Sequence, residues 1–161
     1  MHYVLVSACL LGKKVRYDGQ ALTVADEILE QWRAEKRIVS VCPEVEAGMS
    51  TPRPPAEIIA GDGASVLAGE AQVRENEGRD VTADFIEGAS IALERCRRFG
   101  IKVAVLAESS PSCGSTSIYD GRFAGHKVAG MGVAAALLCQ HGVRVFSQYD
   151  IARAHLALLD A

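Results

Sequence analysis

Apolar runs of strand length alternate with stretches of helical period along this chain. HYVLVSA (2–8) is a continuous apolar run, the pattern of a strand covered on both faces. Residues 23–36 place Val24, Ile28, Leu29 and Trp32 at helical spacing, with acids early and bases late, which suits the helix dipole. IVSV (38–41) predicts a second strand, and IKVAVLA (101–107) a third. Between them, residues 81–98 predict a long helix whose apolar side carries Phe85, Ile86, Ala89, Ile91, Ala92, Leu93 and Cys96, with Gly100 as its stop. Helix over 133–140, strand over 143–146 and helix over 151–159 follow. The stretch after Cys42 contains Pro52, Pro54 and Pro55, which favour an extended, stiff path. Residues 57–74 read as short strands joined by Gly-Asp-Gly and Ala-Gly turns, a small antiparallel insertion. Residues 109–132 read as a long loop rich in turn residues.

Strands separated by helices imply an α/β protein with a mainly parallel sheet and right-handed crossovers. Sites in such sheets lie beyond the carboxyl ends of the strands. At 161 residues the chain fits one domain spanning 1–161. A formal charge of −3 with no basic block argues against binding a nucleic acid polymer. No apolar run approaches the roughly 20 residues of a membrane span. The first apolar run lacks a basic flank, so it reads as a strand rather than an export signal, and a cytoplasmic location is expected.

The five cysteines then divide into two groups. Cys96 and Cys139 sit on apolar helix faces and read as packing residues. Cys9 (SACLLG), Cys42 (VCPEVEAG) and Cys113 (SSPSCG) each follow a strand and are flanked by Gly, Pro or Ser. Three thiols brought to one sheet edge fit a metal centre with one position open, and thiolates suit zinc, Cu(I) or iron–sulfur clusters. Glu44 lies two residues after Cys42, where a carboxylate could move protons at a bound substrate. Ser110 and Ser112 flank Pro111 and could hydrogen-bond a polar ring or cap a turn. Arg16 and Arg53 could bind a carbonyl or an anion. His126 is a possible fourth ligand. GHKVAGMG (125–132) matches no nucleotide fingerprint and reads as tight packing or a wall of the site. Tyr17-Asp18-Gly19 and Tyr119-Asp120-Gly121 repeat a tripeptide, which a shared turn preference explains. From the residues alone, three readings stay open: a catalytic cluster, a non-catalytic cluster or zinc protein acting as redox sensor or electron carrier, and a metal-free small-molecule-binding module.

The set SACLLG…VRYDG, VCPEVEAG…TPRPPAEI, SPSCG and FAG…GMGVAAALL, spread over residues 3–148, resembles one bacterial family, whose characterised members are thiouracil desulfidases (TudS). The resemblance implies a single Rossmann-like three-layer domain and an oxygen-sensitive [4Fe–4S] cluster. It implies non-redox removal of sulfur from a small thiolated pyrimidine, of the 2- or 4-thiouracil type, giving uracil and hydrogen sulfide. It places the cluster ligands at Cys9, Cys42 and Cys113, the acid of the CPE motif at Glu44 and the serine near the substrate at Ser110. The residues before SPSCG read Ala-Glu-Ser, where more basic character is expected in relatives. That difference bears on which thiolated compound fits and not on the cluster ligands.

Overall fold

The computed structural model describes residues 2–161. In chain order its elements are β1 (Val4–Ser7), α1 (Glu27–Ala34), β2 (Ile38–Val41), α2 (Pro43–Glu46), β3 (Ala56–Ile59), α3 (Gly63–Leu67), β4 (Gln72–Glu75), α4 (Thr82–Phe99), β5 (Val103–Leu106), β6 (Ser117–Tyr119), β7 (Lys127–Ala129), α5 (Val133–Gln140), β8 (Arg144–Ser147) and α6 (Ile151–Leu159). A short 3-10 turn, Ala8–Leu11, follows β1.

The four apolar runs form a parallel sheet in the order β2-β1-β5-β8. β1 and β5, its two inner strands, are buried at every residue, which explains their uninterrupted apolar sequence. β1–α1–β2 and β5–α5–β8 step outward from the centre in opposite directions. Right-handed crossovers therefore put α1 and α5 on opposite faces, giving three layers. α1 packs against α6, and α4 lies along α5. Leu29, Trp32, Leu93, Cys96 and Leu138 close over the sheet from these helices. Among the described residues no helix is long and apolar enough to cross a membrane.

Helix α1 starts later than its periodicity predicts. The Asp26 carboxylate accepts hydrogen bonds from the backbone of Ile28 and Leu29, so the cap fixes the start at Glu27. The insertion holds more than turns. β3 and β4 do pair antiparallel, but α3 joins them. Asp62 and Ser65 form a reciprocal capping box that nucleates this single turn, too short to give a periodic signal. The predicted loop 109–132 likewise contains an antiparallel hairpin, β6–β7. Ile58, Val66, Val73 and Ile118 from these pieces meet Phe85 of α4 and Val133 of α5 in a second apolar cluster beside the sheet.

Two close approaches fix the loops that matter for function. At Gly88 an added Cβ would stand 2.5 Å from the Pro43 carbonyl oxygen, so α2 sits directly on α4. At Gly132 an added Cβ would stand 2.6 Å from the Ser112 carbonyl oxygen. There the first N–H groups of α5 are taken by the carbonyls of Pro111 and Ser112, which makes this helix start a wall for the Cys113 loop, as the sequence suggests. Gly88→Val should cost about 1–3 kcal/mol in urea unfolding through overpacking. An unchanged midpoint would show that α2 is not seated there.

Candidate active site

β1 is flanked by β2 on one side and β5 on the other, so chain order reverses at the centre of the sheet. Crevices open beyond the carboxyl ends of strands at such a reversal. The three strands around it deliver the three cysteines. Cys9 lies in the 3-10 turn after β1, Cys42 is the residue between β2 and α2, and Cys113 follows β5 in the SPSC turn. All three line one cavity of about 390 Å³, together with Arg16, Glu44, Arg53 and Ser110. Cys96 and Cys139 stand outside it, as predicted for packing residues. No histidine lines the cavity, and His126 is exposed on the β6–β7 connection.

The thiols are poised to need a positive charge. Burial pushes Cys9 up to about 11, with Cys42 adding and Arg16 opposing. Burial also raises Cys42. Cys113 is raised furthest, by burial and then by the nearby Glu44 and Cys9. Without a metal, then, all three hold their protons at neutral pH. A cationic centre reverses this by stabilising the thiolates. Among the described residues no group of three or more His, Cys, Asp or Glu forms a site for a single metal ion. Structural zinc takes four donors at bonds of about 2.3 Å, and the cavity offers three thiols. Three soft donors around a roomy cavity suit a cluster better.

Glu44 and Arg53 form one unit. Arg53 Nε and Nη2 both donate to Glu44 Oε2, at 2.9 and 2.6 Å. The remaining donors reach Val15 O, Ser50 O and Thr51 Oγ1. All five guanidinium N–H groups are thus engaged inside the protein, and Arg53 is 9% exposed. The sequence expectation was a substrate anchor; in the structure Arg53 lines the cavity, but its donors are all taken within the protein, two of them by Glu44. No protein donor among the described residues reaches Glu44 Oε1, which leaves that oxygen for a ligand or water. Removing one partner of a buried pair leaves the other charge uncompensated. Arg53→Ala should therefore lose about 3–5 kcal/mol in chemical denaturation. Adding Glu44→Gln should restore part of it, and equal losses in both variants would contradict the coupling.

The Cys42 backbone is tethered as well. Its N–H donates to Glu46 Oε2, and Arg95 of α4 binds both Glu46 and the Ser40 carbonyl. Ser110 Oγ accepts from the N–H groups of Ser112 and Cys113, at 3.1 and 3.2 Å. Ser110 thus caps the Cys113 turn, and its own O–H remains free to donate into the cavity. Ser112 is fully buried, does not line the cavity, and its Oγ has no partner. Of the two serines only Ser110 reaches the site.

Glu108 is a residue the sequence reading missed. Its carboxylate accepts from the backbone of Ser109, Ser115, Thr116 and Ser117 and from the hydroxyls of Ser115 and Thr116. One half-buried anion therefore gathers the whole loop that carries Cys113. Burial alone would raise its pKa, but the bonds from Thr116 and its neighbours outweigh this and hold it below the usual carboxylate range. A depressed folded-state pKa stabilises the fold above the unfolded value and loses that contribution as pH falls through the folded one. Wild type should weaken in urea as pH drops below about 4. Glu108→Gln should be weaker at neutral pH and lose less on acidification, whereas parallel pH curves would contradict this role.

The outer wall carries Tyr17, Tyr119, Lys127 and Tyr149, with the Arg16 guanidinium 5.9 Å from the Tyr17 ring centre. Tyr17-Asp18-Gly19 forms a turn and Tyr119-Asp120-Gly121 bends away from the end of β6, with Gly19 and Gly121 at φ 77° and 90°. Each also delivers its tyrosine to the cavity. The repeat was the signal for these residues.

Comparison with known proteins agrees with this geometry. The family described as 2-thiouracil desulfurase matches residues 4–150. The uncharacterized protein YbbK of Bacillus subtilis (strain 168) is 45% identical over 148 residues, covering 92% of this chain and 97% of its own. A solved structure described as [4Fe-4S]-dependent thiouracil desulfidase TudS is 45% identical, with a TM-score of 0.91 over 100% of both chains.

Proposed function

From the premise that the chain belongs to the 2-thiouracil desulfurase family, we propose how its own residues carry out desulfuration. The protein is a [4Fe–4S]-dependent desulfidase of the thiouracil type. Cys9, Cys42 and Cys113 are the residues that would hold the cluster, and no fourth thiol lines the cavity. When bound, the cluster supplies a Lewis-acidic iron with a preference for soft donors such as a thiocarbonyl sulfur.

The chain's residues do the rest. Glu44, fixed through Oε2 by Arg53, takes a proton at Oε1 from the water that attacks the thiocarbonyl carbon. Ser110 donates its hydroxyl to the ring or to the forming oxygen. Arg16 and Tyr17 stand at the outer wall, where a cation and an aromatic face can hold a pyrimidine. The carbon–sulfur bond breaks, the carbon gains the water oxygen, and the water protons leave with sulfur as hydrogen sulfide. Thiocarbonyl and water become carbonyl and hydrogen sulfide with no net electron transfer.

The single observation that carries this reading is the convergence of three thiols and a clamped carboxylate in one cavity with no fourth thiol or histidine. The cavity size fits a free thiolated pyrimidine rather than a polymer. All five cysteines are free thiols, in keeping with a cytoplasmic enzyme that works as one domain. The test is anaerobic reconstitution followed by assay of hydrogen sulfide and uracil from 2- and 4-thiouracil. Equimolar products without added reductant support the reading. A fully loaded protein that releases no sulfide from either compound overturns it.

A further inference from the structure

We infer that Glu57 is a specificity-determining residue whose free carboxylate oxygen accepts a ring N–H of the thiolated pyrimidine. Glu57 belongs to β3, in the insertion, yet it lines the same cavity as Cys9, Glu44 and Cys113. It is 8% exposed. A carboxylate is seldom buried this far without a cationic partner. Among the described residues no Lys, Arg or His forms an ion pair with it. Arg74 stands across the β3–β4 ladder from Glu57 but donates to Gln72 and to the Gly78 carbonyl. Backbone holds Glu57 instead. Its Oε1 accepts from the N–H groups of Gly121 and Phe123, at 2.9 and 3.2 Å. Close packing secures that contact, because an added Cβ at Gly121 would stand 2.6 Å from the Ile58 carbonyl oxygen. Both donors converge on one oxygen, as those of Arg53 do on Glu44. Among the described residues no donor reaches Glu57 Oε2. That oxygen is not sealed in the core either, since the one enclosed side-chain polar atom without a partner there is Ser112 Oγ.

The chemistry of the ligand then selects a role. A uracil-type thiolated pyrimidine carries ring N–H donors beside its carbonyl and thiocarbonyl. Arg16 and the Ser110 hydroxyl are donors, suited to the carbonyl side. A ring N–H needs an acceptor, and Glu44 Oε1 is engaged with the attacking water. Glu57 Oε2 is a charged acceptor already fixed by its twin oxygen, beside Tyr119 of the outer wall. A site built to accept from a substrate N–H rejects an analogue lacking it, because the buried group of the site is left unpaired.

The role assigned to Glu57 rests on the desulfidase reading, and the test separates the two. Glu44→Gln protein, in which turnover is slowed, is reconstituted anaerobically with and without Glu57→Gln, and iron is counted in both. Calorimetry then gives Kd for 4-thiouracil and for its N1-methyl and N3-methyl derivatives. With Glu57 present, one of the two derivatives should bind about 10–100-fold more weakly than 4-thiouracil, the worth of one hydrogen bond to a charged group. Glu57→Gln keeps a carbonyl oxygen for Gly121 and Phe123 and turns an amide donor toward the cavity. 4-Thiouracil should then bind about tenfold or more weakly, and its advantage over that derivative should shrink to about twofold. A residue that only clamps the β6–β7 connection leaves the advantage unchanged in Glu57→Gln, and that result overturns the inference. Equal binding of all three compounds with Glu57 present also overturns it. Where Glu57→Gln does not fold, Glu57→Asp takes its place: an advantage kept by this carboxylate supports the acceptor role, and one lost overturns it. Wild type that releases no sulfide from 4-thiouracil, while the Glu57-dependent advantage is measured, overturns desulfuration and supports the acceptor role. No binding of 4-thiouracil by the loaded protein overturns both.

Discussion

Glu44→Gln should abolish most sulfide release while leaving the iron and sulfide content of the protein intact. A positioned general base contributes about 10²–10⁴-fold, so the rate should fall by that order. The substitution keeps the side chain's size and one carbonyl oxygen that Arg53 can still hold, so the change isolates proton acceptance. The Arg53 guanidinium has donors enough for either form, and the loss should appear in turnover more than in substrate affinity. The check is a steady-state assay of hydrogen sulfide beside iron counting on the same preparation. A loss of activity that tracks a loss of iron would reassign Glu44 from base to ligand support.

The second large effect concerns the thiols. Cys9→Ala, Cys42→Ala and Cys113→Ala should each fail to retain a full cluster and fall to background activity. Cys96→Ala and Cys139→Ala should load normally. The contrast is informative because burial raises the pKa of Cys96 to about 11, as it does for Cys9. Burial and a high pKa are therefore not what distinguishes a proposed ligand here. Placement at the sheet reversal is. Cys96→Ala should still cost about 1 kcal/mol or more of stability, because it leaves a small cavity in the core beneath α4. Anaerobic reconstitution with iron and acid-labile sulfide analysis checks all five. Loss of the cluster in Cys96→Ala, or its retention in Cys42→Ala, would contradict the assignment.

The convergence of Cys9, Cys42 and Cys113, the proposed ligands, was legible because an apolar run ending in Gly, Pro or Ser marks both a strand and its exit. The alternation of elements then places Cys9, Cys42 and Cys113 at one edge. Glu44 was legible through its spacing from Cys42. The role of Arg53 was not, since its five bonds come from Val15, Glu44, Ser50 and Thr51, and only folding brings Val15 to it. Glu108 shows a different failure. Its partners are local, but an acid among serines looks like an ordinary solvated loop until the loop closes around it. Helix α3 was hidden by shortness, although the Asp62–Ser65 spacing carried its cap. The tyrosines at positions 17 and 119 were visible as a repeat whose turn geometry was read and whose shared destination was not.

The central claim is that three protein thiolates leave one iron for the substrate's sulfur. It is tested most directly by the ⁵⁷Fe Mössbauer spectrum of anaerobically reconstituted Glu44→Gln, recorded before and after 4-thiouracil is added, so that bound substrate is not consumed. The predicted result is one iron of the four distinct from the rest, and a change in that iron alone when 4-thiouracil binds. Four alike irons whose spectrum does not respond to saturating 4-thiouracil would contradict the account.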